Sequence, residues 1–154
     1  MAASHRFTVN VNWVGNLGTG TDTYGSYSRD HVIGAEEKTD CIAGSSAARF
    51  RGDPTRYNPE ELLIASLSTC HMLWYLHLCA DAGVVVTEYA DRAEATLEFH
   101  GGVGRFTEAL LRPAVRVADR TQRDEAERLH ARAHEMCFIA RSVNFPVRCE
   151  PHIL

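Results

Sequence analysis

Five cysteines, Cys41, Cys70, Cys79, Cys137 and Cys149, are the residues of this chain best suited to covalent chemistry, and no two of them have CxxC spacing. A cysteine reacts as its thiolate, which needs a cation or a helix N-terminus beside it. Without either it behaves as a small buried hydrophobe. Cys70 lies in the charge-free run from Leu62 to Ala80, among Ser66, Ser68, Thr69 and His71. Cys137 falls on the apolar face of a second helical pattern. For each, packing and redox chemistry both stand on the residues alone. Two cysteines on the inward faces of the only two expected helices are nonetheless placed to meet. In a reducing compartment such a pair is more often redox-active than structural. Cys41, Cys79 and Cys149 read as packing residues.

Other chemistries fit less well. His71, His77, Cys70 and Cys79 cluster in sequence, but without the spacing that zinc ligands on one helix require, and neither HExxH nor paired CxxC occurs. The expectation is no metal and no cofactor, with His77 a satisfied core histidine. His71 follows Cys70 directly and points about 100° away on a helix, so it cannot act as its base. Gly15, Gly18 and Gly20 precede no helix, which excludes a phosphate-binding loop. A net charge of −4 gives no attraction to nucleic acid or to an anionic membrane. Met1 to Phe7 lack the apolar stretch of a signal peptide. Leu62 to Ala80 is about long enough to span a bilayer, but Ser66-Leu67-Ser68-Thr69-Cys70-His71 interrupts it with polar groups that are costly there. The expectation is a buried core helix in a cytoplasmic protein.

The elements that must position these residues can be read in order. Phe7, Val9, Val11 and Trp13 alternate with polar residues as in a half-buried strand. Tyr24–Ser28 and His31–Ala35 read as short antiparallel strands, and Glu36 to Tyr57 as a long loop. Asn58-Pro59-Glu60-Glu61 starts a helix: Asn caps, Pro takes the first turn, and Glu61 completes a capping box. That helix runs to Gly83 and is apolar all round, so a chain of 154 residues needs a second subunit to cover it. Val84 to Phe99 reads as β structure, His100 to Gly104 as a hairpin loop, and Arg105 to Val117 as a returning strand with Pro113 at a bulge or edge. Thr121 is expected to cap the second helix, and Asn144 to Cys149 to form a last strand. Strands, helix, strands, helix and strand make one α+β domain over residues 1–154.

Asn58-Pro59-Glu60-Glu61-Leu62-Leu63 with Cys70 ten residues after Glu60, Arg49-Phe50-Arg51-Gly52-Asp53 before it, and Ala133-His134-Glu135-Met136-Cys137 after it resemble the OsmC/Ohr family of osmotically inducible and organic hydroperoxide resistance proteins, on its OsmC-like branch. The resemblance implies an intertwined homodimer of antiparallel sheets around central helices, acting as a thiol-dependent peroxidase on organic hydroperoxides in oxidative stress defence. It implies Cys70 as the peroxidatic and Cys137 as the resolving cysteine, with Glu60 orienting an arginine beside the thiolate. Arg49 matches the arginine of the OsmC branch, and Arg29 the one that the Ohr branch takes from an earlier loop. The reductant is an external dithiol, of the lipoyl type in that family. Ser68-Thr69 before the first cysteine, His71 after it and Phe138 after the second depart from the usual pattern; these positions bear on substrate and reductant more than on the thiol chemistry. In a straight helix Glu60 and Cys70 stand about 15 Å apart, so either the helix breaks at Ser66 to Thr69 or the arginine spans the gap. The reading from another class is a non-catalytic dimer binding an apolar small molecule near Met72, Trp74 and Tyr75.

Overall fold

The computed structural model describes residues 4–154, which divide after Leu62 into two compact units. In the first, β1 (Asn10–Trp13), β2 (His31–Gly34) and β3 (Ile42–Gly44) form an antiparallel sheet in that order. The strand β3 lies inside the expected loop, because three residues are too few to show a period. Conversely, Tyr24–Ser28 is no strand and contributes only the bridge Asn16↔Tyr27. The alternation before Trp13 does not mark a half-buried strand: every residue of β1 is exposed, Val11 among them. Ser45 is fully buried and ties the loops together, donating to Asp30 Oδ1 at 2.9 Å and accepting from the Asp53 N–H at 3.1 Å. Gly52 passes so close to Ser46 that a Cβ there would sit 1.6 Å from the Ser46 carbonyl oxygen, so this turn admits only glycine.

The helix α1 (Pro59–Asp81) starts as its sequence dictates. Asn58 Oδ1 accepts from the Glu61 N–H at 2.8 Å, and Glu61 Oε2 accepts from the Asn58 N–H at 3.1 Å, a complete capping box. It ends before Gly83, whose φ of +71° suits the left-handed stop. The expected break at Ser66 to Thr69 is absent. The Ser66 and Thr69 hydroxyls donate back to the Leu63 and Ala65 carbonyls at 2.7 and 2.8 Å, so the polar middle of the helix is satisfied without interrupting it. By length and composition α1 could cross a membrane; here its row Leu67, His71, Tyr75, Cys79 is buried against protein.

In the second unit the expected run from Val84 to Phe99 is two strands, β4 (Val86–Asp91) and β5 (Glu94–His100). The return is also two, β6 (Val103–Leu111) and β7 (Pro113–Val117), with Pro113 opening β7 where its missing N–H costs least. The chain therefore leaves one sheet and enters another at Arg112: β5, β6 and β8 (Val147–Cys149) form one, and β4, β7 and β9 (His152–Ile153) the other. Gly101 and Gly102, with φ of +59° and +84°, close the β5–β6 hairpin in two residues. The last expected strand is shorter than its sequence suggests, and β9 lies beyond it; β8 and β9 pair parallel to β6 and β7. The helix α2 (Arg123–Met136) is not capped by Thr121. Asp119 accepts from the Thr121 N–H at 2.9 Å and its hydroxyl at 2.7 Å, which holds Thr121 in a preceding single turn instead.

Two apolar clusters fill this unit. Tyr75, Cys79, Val115, Ala126, Ala133 and Ile153 join α1, α2 and the β4–β7–β9 sheet. Leu67, Ala109 and Leu111 join the earlier part of α1 to β6, with Phe145 and Val147 against them. The polar insertion in the core is His71, whose Nε2 lies 3.0 Å from His130 Nδ1 on α2, both rings being buried.

The capping box yields a direct expectation. Asn58→Ala removes one half of it and should lower unfolding stability by about 1 kcal/mol. Urea denaturation should show a lower midpoint with an unchanged slope; an unchanged midpoint would mean that the start of α1 is held by tertiary contacts alone.

Candidate active site

Cys70 projects from the middle of an unbroken α1 and is half-buried. It lines a cavity of about 330 Å³ with Ser66, Thr69, Leu73, Trp74, Phe138 and Ile139. Leu73, Trp74 and Phe138, with His77, also line a neighbouring cavity of about 280 Å³, so the two form one apolar recess on this face of the helix. Trp74 and Phe138 meet edge to face with their rings 5.4 Å apart, a stable aromatic pairing that gives the recess a firm wall. His77 is no core histidine: it is exposed, with Nε2 3.5 Å from Asp81, because the buried row of α1 passes through residues 67, 71, 75 and 79 and leaves 77 outside it.

Cys137 is the residue that ends α2, with extended backbone, and is only 1% exposed. Cys70 stands close enough to act on its ionisation. Burial pushes the Cys137 thiol up to about 11, the Ala140 N–H pulls it down, and Cys70 raises it further. That N–H donates to Cys137 Sγ at 3.4 Å. The pair is thus unequal. One sulfur borders the recess, and the other is enclosed and protonated at neutral pH. A half-exposed thiol beside a buried thiol can be oxidised from outside and then close a disulfide inward.

The remaining cysteines differ. Cys79 is buried, and burial raises its thiol. Cys41 is exposed. Cys149 Sγ stands 3.6 Å from His71 Nε2.

In the first unit, Glu60 occupies the first turn of α1, and its Oε2 is buried without a hydrogen-bond partner. A buried carboxylate oxygen left in that state is a costly acceptor. Arg49 stands on the single turn Ala48–Phe50, exposed, with its guanidinium 5.1 Å from the Phe50 ring centre. Arg29 is differently placed. Its Nη atoms donate to the Tyr27 and Tyr24 carbonyls at 2.6 and 2.5 Å, and its guanidinium lies 4.2 and 4.3 Å from the same two rings.

The sequence reading passed over one grouping. His71, His130 and Cys149 offer metal-ligating atoms that all lie within 4.8 Å of one another. They are 59 and 78 residues apart, so no local spacing announces them. A buried histidine on the otherwise apolar face of α2 was the available signal. Burial lowers His71 to about 4, with His134 lowering it further, and lowers His130 to about 3. Both rings are neutral at pH 7.

A model of the OsmC-like protein family matches residues 52–152. The chain is 30% identical to an OsmC-like protein of unknown function from Vibrio cholerae, with a TM-score of 0.85 over 96% of this chain and 99% of that one. An organic hydroperoxide resistance protein from Elizabethkingia anophelis shares the fold at 15% identity and a TM-score of 0.67, over 98% of each chain. The uncharacterized protein YmaD of Bacillus subtilis is 22% identical over 92% of this chain and 88% of its own length. With a family model covering most of its length and an α+β fold matching those structures, this chain belongs to the OsmC-like protein family.

Proposed function

We propose that the protein is a thiol-dependent peroxidase that reduces organic hydroperoxides to alcohols, with Cys70 peroxidatic and Cys137 resolving. The observation that carries this reading is a half-buried thiol at an apolar recess that acts electrostatically on a fully enclosed second thiol. The Cys70 thiolate attacks the terminal oxygen of R–OOH. The O–O bond breaks, the alkoxide leaves as ROH after taking a proton, and Cys70 is oxidised to a sulfenic acid. Cys137 then displaces water from that sulfenic acid and forms the disulfide. An external dithiol restores both thiols by exchange and becomes a disulfide itself. The apolar walls at Leu73, Trp74, Phe138 and Ile139 suit an alkyl or aryl R group more than hydrogen peroxide.

Glu60 serves here as the acceptor for a guanidinium that stabilises the thiolate; its unpartnered buried oxygen supports that role. Arg49 is the arginine assigned, because it matches the arginine of the OsmC branch in the stretch before Asn58-Pro59-Glu60-Glu61. The working form is a homodimer. Leu73 on α1 is 63% exposed, and Val9, Val11 and Trp13 are also open, an amount of apolar surface that a second copy would cover. The recess equally suits a non-catalytic apolar ligand, and the cysteine variants separate the two readings.

Cys70→Ser should abolish consumption of an alkyl hydroperoxide. Cys137→Ser should consume about one equivalent per chain and then stall, with Cys70 as sulfenic acid or over-oxidised. Peptide mapping of the oxidised wild type should find a Cys70–Cys137 disulfide with Cys41, Cys79 and Cys149 still alkylatable. Unchanged consumption in both variants would leave the ligand-binding reading. Arg49→Ala should slow consumption at pH 7 by on the order of tenfold, as loss of a charge beside an anion does, while Arg29→Ala should leave the rate near wild type; the reverse order would move the assignment to Arg29. Light scattering at micromolar concentration should give twice 17.1 kDa, and a well-folded monomer would remove the dimer.

A further inference from the structure

The cluster of His71, His130 and Cys149 takes no part in the thiol chemistry above, yet it joins α1, α2 and β8 in the buried interior. The two rings are within 6° of parallel, with centres 5.3 Å apart and facing nitrogens 3.0 Å apart. Those distances put both nitrogens on the line between the ring centres, lone pair towards lone pair. A shared hydrogen fills that line. The 3.0 Å gap is too short for a cation in line, since metal–nitrogen bonds are about 2 Å; a soft cation of low coordination number would sit off the line, towards a third ligand. Tyr75 packs flat on His130 at 3.7 Å and holds that ring in place. Cys149 Sγ approaches the same line from the side, 3.6 Å from His71 Nε2.

We propose that His71 Nε2, His130 Nδ1 and Cys149 Sγ form a closed site for one soft monovalent d¹⁰ cation of the copper(I) class, separate from the Cys70–Cys137 pair. Charge selects the ion. Both imidazoles are neutral, so the Cys149 thiolate supplies the only charge, and a monovalent cation leaves the buried site neutral overall. A zinc ion would leave an uncompensated positive charge and lack a fourth ligand. Asp91, the acid that acts on both His71 and Cys149, already accepts from Ser68 Oγ at 2.6 Å and from the Arg112 N–H at 2.7 Å. Binding balances as Cys149–SH plus M⁺ giving Cys149–S–M plus one H⁺. The hydrogen shared by the rings moves to an outer ring nitrogen, and both outer nitrogens, His71 Nδ1 and His130 Nε2, stand without partners.

The test is anaerobic titration of the whole, fully reduced protein with copper(I) against a coloured copper(I) chelator. Wild type and Cys70→Ser should each withdraw one equivalent per chain, while Cys149→Ser and His130→Asn should lose more than about tenfold in affinity. X-ray absorption on the loaded wild type, which depends on no variant folding, should show two nitrogen ligands and one sulfur. No binding by wild type, full binding by Cys149→Ser, loss in Cys70→Ser, an all-sulfur shell, or displacement of copper by equimolar zinc would each overturn the site.

Discussion

The hydrogen bond between His71 and His130 is the constraint on which the larger unit depends. It is a polar bond made in an apolar interior, where an unpaired imidazole nitrogen is expensive, so it fixes α1 against α2 at one level. Above and below it the contacts are apolar and permissive: Tyr75 and Cys79 against Ala126 and Ala133 on one side, Leu67 against Ala109 and Leu111 on the other. Apolar contacts tolerate sliding, whereas a donor and acceptor 3.0 Å apart do not. Cys70 neighbours His71 in the chain and Cys137 ends the helix that carries His130, so the bond that sets the helices also sets the two sulfurs.

A continuous α1 separates two kinds of environment. The row through Leu67, His71, Tyr75 and Cys79 is enclosed, whereas Cys70 and Leu73 border the recess with Trp74. Had the polar middle broken the helix, Cys70 would have stood at a fresh N-terminus with free N–H groups to hold a thiolate. Back-bonding by Ser66 and Thr69 removes that source of stabilisation.

Much was legible in the chain itself. The capping box at Asn58 and Glu61, the stop at Gly83, the hairpin at Gly101 and Gly102, and the inward position of Cys137 follow from local rules of dihedral angle, hydrogen bonding and period, which operate within a few residues. The strand boundaries near Arg112 and the brief β3 were not legible, since a strand is defined by its partner and a short one carries no period of its own. Thr121 misled because Asp119, two residues earlier, takes both its N–H and its hydroxyl and holds it in a single turn ahead of α2.

Which chemistry-bearing residues exist, and that Cys70 lies on a helix, was determined by sequence alone; that Cys137 ends α2 instead of lying within it was not. Which of them meet was decided only by tertiary structure. Packing α2 across α1 joins His71 to His130 over 59 residues, and the parallel addition of β8 to β6 brings Cys149 to the same point over 78. The burial that makes the imidazoles neutral and the Cys137 thiol reluctant to ionise belongs to the assembled interior, because desolvation is a property of everything around a group and no local stretch of sequence contains it.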